Sequence, residues 1–118
     1  MKLNRAGKKL IEQNKTPALT IESALHILDH FLEIELNENQ YSALISLLMD
    51  IGATPMRNSS ALRMVNQGRM FEAVEDFHSW VYLEGKKRTS LVKRRKAEAK
   101  LFLTPVIAGG LDVQSAIR

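Results

Sequence analysis

The sequence contains no cysteine among its 118 residues. Disulfide bridges and thiolate metal sites are therefore excluded, and nothing indicates an oxidising compartment. The N-terminus is basic, but no apolar stretch follows it, so we do not expect a secretory signal. No apolar run approaches the length that crosses a bilayer. We therefore expect a soluble protein without a membrane span that is made and kept in the cytoplasm.

Strand signals are also missing from the sequence. No run of alternating Val, Ile, Thr and aromatic residues is bounded by turn residues. Between Gly7 and Gly52 there is no glycine, so the Asn-Gly or Asp-Gly turn of a tight hairpin is unavailable there. No internal repeat or low-complexity tract is present. These absences predict an all-α fold with short connections between neighbouring helices.

Apolar residues instead recur at helical spacing, and they predict a compact bundle of about six helices. The predicted segments are residues 3–13, 20–35, 37–52, 58–68, 70–81 and 89–105, the last beginning at a Thr89 or Ser90 cap. The third is apolar nearly all round, which is typical of a helix in the middle of a core. In the fifth, Phe71, Val74, Phe77 and Trp80 have core spacing. The tail after Pro105 is expected to be loose or to form a loop and a short docking helix.

The excess positive charge is concentrated in one region. The chain has a formal net charge of +4, and residues 86–100 contain eight basic residues but a single acid, Glu98. Such a patch attracts nucleic acid, acidic cell-wall glycans or an acidic protein, although it is also compatible with a solvated helix face. The candidate binding residues are Lys86, Lys87, Arg88, Lys93, Arg94, Arg95 and Lys96.

Other residue patterns are weaker evidence for a functional site. His26 and His30 are four residues apart with Asp29 and Glu33 nearby, which is a workable zinc geometry on one helix face. The His-Glu-x-x-His motif is absent, however, so we interpret them as a pair of partly exposed histidines. His78 is expected to pack in the interior or at its boundary. No glycine-rich phosphate loop or catalytic triad is indicated, and no cofactor is predicted.

Two segments resemble a known family. Residues 77–87 read FHSWVYLEGKK and residues 90–102 read SLVKRRKAEAKLF, a pattern that resembles the C-terminal signature of phage-type lysozymes, the muramidase endolysins. Residues 39–46 read NQYSALIS, and with DIG at 50–52, NSSAL at 58–62 and NQG at 66–68 they are similar to the central helices of that family. The resemblance covers roughly residues 20–104.

The N-terminus extends the resemblance to the catalytic position. Residues 7–16, GKKLIEQNKT, follow the family pattern Gly-x-x-Leu-Ile-x-x-Phe-Glu-Gly, in which the Glu is the general acid. Lys15 stands at that place. The family continues with a small β lobe that carries the catalytic Asp and Thr, whereas this chain runs from Lys15 through Pro17 directly to Thr20. The resemblance therefore implies one helical domain over residues 1–104, comprising an N-terminal helix (1–15) and a helical lobe (20–104), with residues 105–118 as a tail.

The resulting expectation is a lysozyme-derived phage or prophage protein that binds without catalysing. A lysine supplies no carboxyl proton, and without the β lobe there is no opposite wall to the sugar cleft. The partner would be peptidoglycan or an unknown protein, in a role such as host-factor antagonist or lysis-associated regulator. One alternative is residual muramidase activity with Glu12 as a weak substitute acid or with a partner chain. A second is nucleic-acid binding through the basic helix, and a homodimer is expected if the apolar third helix stays uncovered.

Overall fold

The computed structural model describes residues 3–106, which form seven helices and one two-stranded sheet. The helices are α1 (Arg5–Glu12), α2 (Ile21–Phe31), α3 (Glu38–Ile51), α4 (Ala53–Arg57), α5 (Ser60–Asn66), α6 (Met70–Phe77) and α7 (Thr89–Phe102). The antiparallel strands β1 (Tyr82–Leu83) and β2 (Lys86–Lys87) lie between α6 and α7. The predicted all-α class is confirmed.

Side-chain caps explain where four of these helices begin. Asn4, Thr20 and Ser59 each accept a hydrogen bond from a backbone N–H in the first turn of the helix that follows. Asn37 forms a full capping box with Gln40, because each side chain accepts from the other residue's backbone N–H. These polar side chains bond to backbone N–H groups in the first helical turn. Residues close together in the sequence therefore determine where the four helices begin.

Helix α3 lies at the centre of the core. Every residue from 41 to 49 is buried, including the polar Ser42 and Ser46. Helices α1, α2, α4 and α7 all contact α3 and cover it. The predicted central position is confirmed, and because the chain itself covers this helix, its apolar surface provides no argument for a homodimer.

Two elements differ from the sequence-based expectation. Helix α4 is additional, and Gly52, at φ +92°, separates it from α3. The expectation that strands are missing is wrong at residues 82–87, where Glu84 and Gly85 both have positive φ in a two-residue turn between β1 and β2. Two residues per strand are too few to show the alternation of side chains that would predict a strand.

The predictions for the ends and buried faces of α6 and α7 are also partly wrong. Helix α6 ends at Phe77, and Phe71 is 75% exposed although its spacing predicted the core. The buried face of α6 instead follows Ala73, Val74 and Phe77, and Met70 packs against the core in place of Phe71. Arg88 is the N-cap residue of α7, and its side chain forms no capping hydrogen bond. The predicted cap at Thr89 or Ser90 is therefore wrong.

None of the helices within residues 3–106 is both long and apolar enough to cross a membrane. The expectation of a loose tail or a docking helix concerns residues that lie mostly outside the described part of the chain.

Replacement of Gly7 by Ala is predicted to lower stability. Gly7 packs against α3, and a Cβ atom there would lie 2.4 Å from Ser42 Cβ, which cannot rotate away. Glycine to alanine normally stabilises a helix by about 0.5–1 kcal/mol, but overpacking costs about 1–3 kcal/mol, so the clash decides the sign. Thermal unfolding should show Gly7→Ala melting several degrees below wild type, while Lys8→Ala on the exposed face stays close to it. A melting temperature for Gly7→Ala at or above that of wild type would contradict this packing.

Candidate functional site

A groove of about 760 Å³ lies where α1, α3 and α7 come together. One side is formed by residues 13–16, which follow α1, and the other by Trp80 and strand β1. Its floor contains Asp50 and Ile51 at the end of α3 and residues from the first half of α7. We call this the cleft groove.

Lys15 lies in the cleft groove on an exposed connector. Helix α1 ends at Glu12 and α2 begins at Ile21, and no strand forms in the residues between them. The connector is held to α3 by the Ala18 backbone N–H, which donates to the Met49 carbonyl at 2.6 Å. The structure thus places Lys15, a basic side chain, beside the cleft groove.

Asp50 is the only carboxylate among the described residues that line the cleft groove. Its Oδ2 atom lies 2.9 Å from Arg94 Nη1 and 2.5 Å from Arg95 Nη2. Two guanidinium groups therefore hold the only acid of the groove, and the side chain of Asp50 is only 13% exposed. Such charge-assisted contacts fix the carboxylate in place.

Behind this floor the ion pairs continue into the core. Arg95 Nε lies 2.7 Å from Glu98 Oε1, and Ser46 donates to Glu98 Oε2 at 2.5 Å. Arg95 also donates to the Trp80 carbonyl oxygen at 3.2 Å. Complete burial raises the pKa of Glu98 to about 7, although the charge of Arg95 and the Ser46 hydrogen bond both act to lower it. We call Asp50, Arg94, Arg95, Glu98 and Ser46 the ion cluster.

The ion cluster corrects the predicted basic patch. Arg95 was a candidate surface binding residue, but it is completely buried because its position falls on the apolar side of α7. Arg94 is only 13% exposed and is paired with Asp50. The other candidates remain accessible: Lys86, Lys87, Lys93 and Lys96 are exposed, and Arg88 is partly so.

Arg88 differs from the other cations because it lines the cleft groove. Its Nε atom is buried and has no hydrogen-bond partner within the described residues. Its nearest acid is the exposed Glu84, 3.8 Å away. A buried donor without an acceptor is costly. The side chain as a whole is 42% exposed, so its accessible part can meet a ligand carboxylate in the groove.

The remaining acid and histidine candidates lie elsewhere. Glu12 does not line the cleft groove and instead lies in a cluster with Arg5, Lys8 and Lys9, so its position argues against a role as substitute acid. His26 and His30 stack on the exposed face of α2 with ring centroids 6.3 Å apart. Asp29 accepts a hydrogen bond from Tyr41 at 2.7 Å, and no group of three metal-ligating residues occurs in residues 3–106. His78 is exposed, so its predicted interior or boundary packing is wrong.

Residues 4–98 match the family model of phage lysozyme. This chain belongs to the phage lysozyme family. The endolysin of Salmonella phage P22 is 36% identical over 98 residues, which are 83% of this chain and 64% of that protein. The endolysin of Bacillus phage B103 is 34% identical over 76 residues, 64% of this chain but 29% of that protein. The chain therefore spans well under half the length of some of its phage lysozyme relatives.

Solved structures agree with this family membership. A mutant of P22 lysozyme superposes with a TM-score of 0.66 and 31% sequence identity, covering 71% of this chain and 57% of that one. The muramidase domain of SpmX from Asticaccaulis excentricus superposes with a TM-score of 0.76, covering 87% of this chain and 98% of the other. Its 23% identity shows a shared fold alone.

Among the described residues, the cleft groove holds one carboxylate and several cations. Glycoside hydrolysis uses two carboxyl groups about 5–9.5 Å apart on either side of the scissile bond, one of them protonated. The described cleft groove contains Asp50 alone, and two arginines already bind it. Lys15 and Arg88 are suited to binding anions and do not supply an acid of the required kind.

Sequence reasoning missed Asp50 and misplaced Arg95 for the same reason. Both belong to a contact between α3 and α7 whose partners are 45 residues apart. A signal was present, because Arg95 falls within the apolar stripe of α7, and a charge in such a stripe requires a buried partner. Nothing local in the sequence identifies that partner as Asp50.

The raised pKa of Glu98 predicts a pH-dependent stability. Burial raises the pKa of Glu98 in the folded chain to about 7, above the ordinary value of about 4.5 that applies when the chain is unfolded. The contribution of Glu98 to the free energy of unfolding therefore falls as pH rises through this window. Relative to wild type, Glu98→Gln should become more stable from pH 4.5 to 7, by about 1.4 kcal/mol per unit of pKa shift.

Urea unfolding measures the free energy of unfolding of wild type and of Glu98→Gln. Measurements at about pH 4, 5.5, 7 and 8.5 cover the range below, within and above the two pKa values. The exposed Glu75→Gln is the matched control for the loss of one acidic side chain. A constant difference from wild type for Glu98→Gln would show that Glu98 titrates normally.

Proposed function

We propose that this protein is a non-catalytic member of the phage lysozyme family that binds peptidoglycan in the cleft groove. The observation that carries the proposal is the composition of the groove, where Lys15 lies at one side and two arginines bind Asp50. The sequence resemblance matches Lys15 to the family's general acid. Relatives named endolysins support peptidoglycan as the ligand.

The cleft groove has the chemistry that a peptidoglycan strand requires. Such strands carry carboxylates on the lactyl groups and on the stem peptides, which match Lys15 and Arg88 in charge. Tyr82, which is 61% exposed, presents a ring at the groove edge that can stack on a sugar face. Leu83 and Leu91 add apolar surface between these polar groups. A role in phage or prophage lysis as a regulator, or as an antagonist of a host factor, follows from wall binding without cleavage.

We expect no clearing of chloroform-treated Gram-negative cells in a turbidity assay. The variant Lys15→Glu restores the residue type of the family acid but not the second wall, so it should also leave the cells uncleared. The endolysin of phage P22 is the positive control. Clearing by the wild-type protein that disappears in Asp50→Asn or Glu12→Gln would instead establish the residual muramidase alternative.

We expect the protein to sediment with purified peptidoglycan sacculi. Arg88→Glu should weaken this binding about tenfold, equivalent to about 1.4 kcal/mol, because it reverses the charge beside the ligand. The matched control is Arg57→Glu, which makes the same charge change on exposed α4, outside the cleft groove. Absence of sedimentation, or equal losses in the two variants, would contradict the proposal. Salt-sensitive binding of duplex DNA with no binding of sacculi would support the nucleic-acid alternative.

A further inference from the structure

A second groove of about 280 Å³ runs between α1 and α7 and shares only Gln13 with the cleft groove among the described residues. Its apolar floor consists of Ala6, Leu10, Ala97 and Leu101, and its rims carry Lys9 and Lys100. We call it the α1–α7 groove. The proposed function does not use it.

Hydrogen bonds at both ends hold the two walls of the α1–α7 groove in place. At one end, Asn39 bridges the helices, since it accepts from Asn4 at 2.8 Å and donates to the Thr104 carbonyl at 2.9 Å. At the other end, Arg94 donates to the Gln13 carbonyl at 3.4 Å. Helices α1 and α7 therefore run antiparallel, and the groove between them is preformed. Preformed apolar clefts of this kind bind ligands at a low ordering cost.

The exposed charges on α1 and α7 are predominantly positive, and the charged residues that line the α1–α7 groove, Lys9 and Lys100, are both cations. The exposed cations of the two helices are Arg5, Lys8, Lys9, Lys93, Lys96 and Lys100. The exposed acid on these helices is Glu12, because Glu98 is buried in the ion cluster. The structure thus adds the cations of α1 to those that the sequence indicated on α7, and the combined surface selects an anionic partner.

The apolar floor decides which anionic partner fits. Nucleic acid would satisfy the lysines but has no aliphatic side chains to fill the space above Leu10 and Leu101. A lipid bilayer binds apolar residues that project from a protein, whereas this surface is concave. An amphipathic helix with an apolar stripe between acidic residues matches both the floor and the rims. On the α7 side, the residues that line the groove extend from Ala97 to Thr104, just beyond the end of α7. This length corresponds to about two helical turns.

We propose that the α1–α7 groove is a docking site for an acidic amphipathic helix of a partner protein. The apolar stripe of that helix lies on Ala6, Leu10, Ala97 and Leu101, and its carboxylates face Lys9 and Lys100. This surface is separate from the cleft groove, so a partner bound here leaves the proposed peptidoglycan site open.

A synthetic peptide tests the proposal on the full chain. The probe is a helix of roughly 14 residues with leucines at i, i+3, i+4 and i+7 flanked by glutamates, and its control is a scrambled peptide of the same composition. Amide chemical shifts should change at Lys9, Leu10, Ala97 and Leu101 on addition of the amphipathic peptide. The double variant Lys9→Glu with Lys100→Glu should weaken binding at least about tenfold.

The matched control variant carries Arg57→Glu with Arg63→Glu, the same charge change on exposed residues of α4 and α5, and it should bind as wild type does. Filling the floor with Ala97→Gln should weaken binding without changing the net charge. Melting temperatures of all variants show whether each one is folded.

Several results would overturn this proposal. They are no shift change up to about 1 mM peptide, equal binding of the scrambled peptide, and the same shifts with duplex DNA or with vesicles of anionic phospholipid. If removal of residues 107–118 changed the amide chemical shifts of the residues that line the α1–α7 groove, the chain's own tail would be its occupant. If the wild-type protein bound the peptide but did not sediment with sacculi, only the proposed function would be refuted.

Discussion

The contact between α3 and α7 through the ion cluster is the constraint on which the rest of the structure depends. Arg95 and Glu98 are both completely buried, and each would be strongly destabilising without the other. Asp50 and Arg94 extend the pairing to the surface, where they form the floor of the cleft groove. The same interactions therefore hold the core helix to the C-terminal helix and determine the charge at the groove floor.

The packing around α3 explains why this chain keeps the fold of its family. The described chain superposes on a phage lysozyme because that fold depends on α3 and on the helices that surround it. Glycoside hydrolysis depends instead on two carboxyl groups placed on either side of the scissile bond. A fold can therefore persist while its chemistry changes, since the two depend on different residues.

The described residues form two grooves with different linings on the cationic surface. The cleft groove combines cations with an aromatic ring and with Arg88, whose buried Nε lacks an acceptor within the described residues. The α1–α7 groove combines cations with an apolar floor and preformed walls. Both lie beside α7, so the concentration of basic residues in one sequence segment does not correspond to one binding surface. Helix geometry distributes neighbouring lysines and arginines over different faces.

The sequence by itself determined the features that depend on local physics. Capping signals and the apolar periodicity predicted the main helices and the central position of α3. That Lys15 matches the family's acid position is an expectation from the sequence resemblance alone. The tertiary structure alone decided that Arg95 is buried with Glu98, that Asp50 lies in the groove, and that Phe71 faces outward. These depend on side chains far apart in the chain, and periodicity cannot specify which helix faces which.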